Sequence, residues 1–173
     1  MKKLGVGLFL LLAVLAHGVW AATTLELAVG TLTTALNTEL NSIASGGYTA
    51  AGAVIDNRIG QSGNGFMQCR VVGHFVFAAA PSSGGSITGW FLKNGDPTTP
   101  LYETTPTGSI TLTRLPDFVI PAVTGSATTD TSVDVRCPAE RFKVVILNFA
   151  TNQTLNGGGV NTIKLLPITI QGN

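Results

Sequence analysis

Residues 141–149 place Phe142, Val144 and Ile146 on one face of an extended strand and Val145, Leu147 and Phe149 on the other. The same two-residue period runs through 66–78, where Val71, Gly73, Phe75 and Phe77 share a side. Further strand-like runs occupy 86–93 (Ile87, Trp90, Phe91, Leu92), 109–115 (Ile110, Leu112) and 132–137, where Val133 and Val135 oppose Asp134 and Arg136. Polar stretches rich in Gly, Pro, Asn and Ser separate these runs, as turns require. Residues 118–123 are apolar, with Pro116 before them and Pro121 among them, which reads as an edge or an irregular crossing. Residues 160–170 close the domain, with Pro167 expected to break the ladder. The pattern predicts an all-β chain folded as a jelly-roll-like antiparallel β-sandwich.

The N-terminal third reads differently. Leu32, Leu36, Leu40 and Ile43 recur at three- and four-residue spacings, which predicts a short helix over 34–44. Thr33 or Thr34 would cap it, and Ser45, Gly46 and Gly47 would stop it. Residues 23–33 form an extended arm or first strand, and 50–59 a weaker strand. The organisation expected is a signal-like segment or apolar arm at 1–21, an arm with a short helix at 22–48, and a β-sandwich domain at 49–173.

Residues 1–21 have the layout of a secretory signal peptide. Lys2 and Lys3 precede an apolar run over 4–15, and Val19, Trp20 and Ala21 form a small-residue cleavage signal before Ala22. The run is short for a membrane span. Beyond residue 21, eight Lys and Arg face nine Asp and Glu, a net charge of −1. Such a sparse charge excludes a phosphate-tracking nucleic-acid binder, which needs clustered cations. It also gives little mutual repulsion, as suits a protein packed against others.

Candidate chemistry is thin, and the expectation is a protein without catalysis, cofactor or metal. Cys69 and Cys137 either pair as a disulfide in an oxidising compartment or remain two buried thiols. They lack the Cys/His partners of a zinc site and the close spacing of a redox motif. His74, the one histidine past residue 21, lies opposite the apolar register of its strand. A catalytic role needs partners such as Ser86 or Asp134, and a strand-surface or satisfied core histidine is the simpler reading. Asp117, Asp130 and Asp134 form the best acidic grouping, without EF-hand spacing, and read with Asp56 as solvated acids. Trp90, Tyr102 and Phe118 offer aromatic contact area. Trp90 reads as core and Tyr102 as a surface-binding residue. Gly157, Gly158 and Gly159 lack the lysine of a phosphate-binding loop, and Asn152, Gln153 and Thr154 spell a glycosylation acceptor pattern.

Two blocks carry a resemblance. The first runs over residues 32–46 (Leu32, Thr33, Thr34, Ala35, Leu36 through Gly46) and 53–57; the second over 141–149 and 161–165, with 75–81 fitting the strand and turn between them. Across most of 25–168 the chain resembles a family of small tailed-bacteriophage virion structural proteins, among them capsid decoration or cement proteins. The resemblance implies a non-enzymatic, jelly-roll virion component located on the head. It implies a homotrimer that bridges and stabilises neighbouring subunits of the major capsid protein or another virion protein. With the apolar arm, it points to Leu25, Leu27, Leu32, Leu36 and Leu40 as assembly contacts. The leader departs from this picture, since capsid parts assemble without export. The alternative is a secreted or periplasmic β-sandwich that binds carbohydrate or a surface protein.

Overall fold

A computed structural model describes residues 25–58, 66–96, 99, 101–103 and 115–172, without side chains for 25–28 and 169–172. The expectations for 1–21 and for most of the strand at 109–115 lie outside the described residues. Two units are distinguished: residues 29–169, and a smaller one formed by the flanking ends. The smaller unit holds most of β1 (Leu25–Val29), and the larger holds most of β9 (Thr162–Gly172).

The larger unit is a β-sandwich of two antiparallel sheets. One sheet has the order β2 (Thr33–Leu36), β9, β4 (Gln68–Val76) and β7 (Thr128–Arg136). The other has the order β3 (Ile55–Asp56), β8 (Arg141–Phe149), β5 (Ser86–Lys93) and β6 (Phe118–Pro121). Inward residues of both sheets meet in one core that includes Val71, Phe75, Phe91, Phe118, Phe142, Ile146 and Ile163. Phe91 sits edge-on to Phe142 at 5.0 Å and tilts against Phe118 at 5.7 Å. Burying each such side chain contributes about 1.5–3 kcal/mol, which is what holds the two sheets together. Among the described residues no helix is long and apolar enough to cross a membrane.

Two local expectations are corrected. The helix expected over 34–44 is strand β2 followed by one 3₁₀ turn, Thr38–Leu40. Asn37, at φ −145°, breaks any continuous helix, and the β-branched Thr33 and Thr34 suit the strand paired with β9. Pro167 does not break β9, because it pairs with Cys69 inside the ladder. Its carbonyl accepts from the Gly30 N–H at 2.9 Å. A strand residue's carbonyl and nitrogen point to the same side, so the missing N–H falls away from β4 and costs that pairing nothing.

Candidate interaction face

The sheet β3-β8-β5-β6 turns one face to the core and presents the other outward. Alternation along β5 sends Ile87, Gly89 and Phe91 inward and Ser86, Thr88, Trp90 and Leu92 outward. Register then sets the outer neighbours. Val119 on β6, Thr88 and Leu147 on β8 form one row; Pro121, Ser86 and Phe149 form the next; Trp90 pairs with Val145.

Residues 46–52 complete this face. They run along β8, held by hydrogen bonds from the N–H groups of Gly46, Thr49 and Gly52 to the carbonyls of Asn148, Ile146 and Val144 at 2.7–3.0 Å. The hydroxyl of Thr49 accepts the Ile146 N–H at 3.1 Å. Gly52 passes so close to the Ala35 carbonyl that a Cβ there has no room. This path brings Tyr48 opposite Leu147 and sets its ring 5.9 Å from that of Trp90.

The result is an open groove of about 320 Å³ lined by Tyr48, Ser86, Thr88, Trp90, Pro116, Val119, Leu147 and Phe149. Trp90 is 4% exposed and supports the groove from below, whereas Phe149 is 52% and Val119 44% exposed. The hydroxyls of Ser86 and Thr88 lie 3.3 Å apart on its floor. Among the described residues that line it, none is charged. The groove suits contact with an apolar surface, and its lining supplies no acid–base pair.

Several charged groups pair elsewhere. Asp56 accepts both Nε and a terminal nitrogen of Arg58, at 2.9 and 2.8 Å, and Nε of Arg141 at 3.1 Å. The Arg58 guanidinium, and after it that of Arg141, hold the Asp56 carboxyl well below the usual carboxylate range. On the outer face of the other sheet, Arg70 donates to both oxygens of Asp134 at 2.7 and 3.0 Å, and Nδ1 of His74 lies 2.5 Å from Asp130.

These placements sort the residues singled out by the sequence. Cys69 and Cys137 are joined in a disulfide, with Cα atoms 5.4 Å apart, because the Cys137 N–H reaches the Met67 carbonyl where β4 and β7 pair. Leu36 and Leu40, expected as assembly contacts, are core residues of the chain, 1% and 0% exposed. Strand and turn geometry, in place of the helix, turns both inward. Leu32 stays exposed, while the side chains of Leu25 and Leu27 lie outside the described residues. Tyr102 is half-buried, with Lys143 Nζ 4.7 Å over its ring centroid and its hydroxyl oxygen buried. Phe118 is core.

The acids are not gathered. Asp117 accepts the Phe91 N–H at 2.7 Å, while Asp130 and Asp134 each take a different partner on β4. His74 faces Asp130 and not Asp134, through a register that the sequence alone does not carry, and Ser86 belongs to the other sheet. Among the described residues no group of three or more His, Cys, Asp or Glu is placed to hold a metal ion. Asn152 sits at φ 55° in an exposed turn and donates to the Ser82 hydroxyl at 2.9 Å. The groove itself was hidden in the sequence, because its walls come from four separate segments; only the outward half of the β5 and β8 alternation hinted at it. Comparison of the chain with protein-family models, with curated proteins and with solved structures finds no match.

Proposed function

We propose that this chain is a non-enzymatic structural component of a tailed-phage particle, a jelly-roll-like domain that decorates the capsid and stabilises it by contact with neighbouring subunits. The observation that carries this reading is the outer face of β6, β5 and β8: an uncharged apolar groove with Val119 and Phe149 exposed on a sheet of fixed geometry. Contacts made only in an assembled shell stabilise that shell by linkage, and repetition over many copies multiplies a modest contact. The low charge of the chain beyond residue 21 supports the same reading, since crowded copies repel one another little. Peptide mass spectrometry of purified particles tests it. Stoichiometric recovery of the chain is expected, and its absence from particles overturns the reading.

A second reading is favoured by one observation, the Cys69–Cys137 disulfide behind a signal-like leader. Disulfides persist in oxidising compartments, so an exported β-sandwich that binds a glycan or a surface protein accounts for both features. Recovery of a mature chain beginning at Ala22, in the periplasm or medium and absent from particles, selects this reading.

A further inference from the structure

We infer that two copies of this chain join edge to edge through β7, in an antiparallel pair centred on Val133 that continues one sheet across a twofold axis. The surface is not the groove face, and the inference holds for either functional reading.

Among the described residues of the larger unit, the strands β2, β3, β6 and β7 stand at sheet edges. Three of these are poor templates for a further strand. β3 has two residues, β2 has four and shifts register between Thr34 and Leu36, and β6 ends in Pro121. β7 has none of these features. It runs nine residues in unbroken register with β4, contains no proline, and turns its other edge to no described strand. Val133 and Val135 pack on the core, so Asp130, Asp134 and Arg136 all lie on the outer face and none blocks the edge from within. An edge of this kind offers a row of N–H and C=O groups that another strand completes.

Charge selects the occupant. About a twofold axis normal to the sheet, outward residues meet outward residues, so the axis falls on a residue. Placed at Val133, it sets Asp130 of each copy opposite Arg136 of the other, Ser132 opposite Asp134, Thr131 opposite Val135, and Val133 against its own image. Placed at Ser132, it sets Asp130 against Asp134, a like-charge pair that is destabilising. Placed at Thr131, it sets neither acid nor Arg136 against an opposite charge. Of the axes that keep most of β7 paired, Val133 alone matches opposite charges. Both partners are open to this contact. Arg136 makes no ion pair among the described residues, whereas Arg70 is committed to Asp134. Asp130 meets His74 through Oδ1, which leaves Oδ2 for a guanidinium. Along one strand Asp130 and Arg136 lie roughly 20 Å apart, too far to pair within a copy. β7 therefore carries both halves of an ion pair that an antiparallel copy of itself closes twice. The pair is twofold, in place of the trimer that the phage resemblance implies.

Sedimentation velocity of the purified protein, up to on the order of 100 µM, tests the pairing. The wild type is expected to pass from monomer to dimer with concentration. Asp130→Arg and Arg136→Glu each put like charges across the axis at two places, and each should weaken the dimer by about tenfold or more. Mixed in equal amounts, the two variants should dimerise again, because each copy then meets its opposite charge at both places. A role of either side chain within its own chain does not produce that rescue. A second readout leaves the charges in place. Ser132→Cys puts a thiol on the exposed outer face beside the axis, and a short bismaleimide should link two copies through it. Val160→Cys, exposed in a loop, should not link. A wild type that stays monomeric over this range, a trimer, or a dimer indifferent to both charge variants overturns the inference. So does a mixture of the folded variants that fails to dimerise, or a Ser132→Cys chain that does not link.

Discussion

The ring of Phe118 lies over Gly89, filling the space in which a side chain at that position would begin. The two residues are direct partners across β5 and β6, and the missing Cβ lets the ring reach the core beside Phe91. Gly89→Ala is therefore expected to destabilise the domain by about 1–3 kcal/mol, by overpacking. Urea denaturation measures it. Phe118→Leu added to Gly89→Ala should recover part of the loss, and a double variant no better than the sum of the singles would refute the contact.

Asn57 works as a bracket. It is 5% exposed, donates to the carbonyls of Phe66 and Pro138 at 2.8 and 2.7 Å, and accepts the Phe66 N–H at 3.0 Å. Asn57→Ala leaves these backbone groups without partners and should cost about 2–3 kcal/mol. Asn57→Asp should cost more, because a carboxylate then faces two carbonyls. Thermal melts of the two variants at neutral pH give the order, and an Asp variant as stable as wild type would contradict the bracket.

Stability should fall on the acid side through Asp56. Its folded pKa is depressed by Arg58 and Arg141, so its contribution is complete above the unfolded carboxylate pKa of about 4 and is lost as pH falls toward the folded value. The pair is partly open to solvent, with Asp56 17% and Arg58 26% exposed, so the effect is about 1 kcal/mol or less. Asp56→Asn should be less stable than wild type at pH 7, and the gap should narrow steadily as pH falls below about 4. A constant gap between the two across that range counts against the assignment.

The disulfide joins residues 68 apart in sequence. In the chain-entropy account, closing such a loop restrains the unfolded chain by about 4 kcal/mol. Cys69→Ser with Cys137→Ser should lower the denaturation midpoint accordingly and leave the far-ultraviolet spectrum unchanged. A midpoint insensitive to both the double variant and to reductant would mean the sulfurs do not pair in the native protein.

The strands were legible where one period served one purpose. β5 and β8 occupy the spans that alternation marks, because each carries bulky apolar residues that must choose a face. The segment around Leu36 misled because three- and four-residue spacing has two solutions. A strand followed by a tight turn buries Leu36 and Leu40 and leaves Leu32 at 45% exposure. Leu40→Ala should cost about 2–5 kcal/mol and Leu32→Ala almost nothing, which separates core from surface. The groove was illegible for another reason. Tyr48, Trp90, Val119 and Phe149 meet only through strand register, and register depends on pairings between distant parts of the chain.

Strand β9 follows every other described strand, yet it lies inside its sheet, between β2 and β4. The ladder that joins β2 to β4 therefore has no interior rung until β9 is present. Before then β4 can pair with β7, but β2 has no strand partner in this sheet, so the sandwich is complete only once a strand distant in sequence from both docks between them.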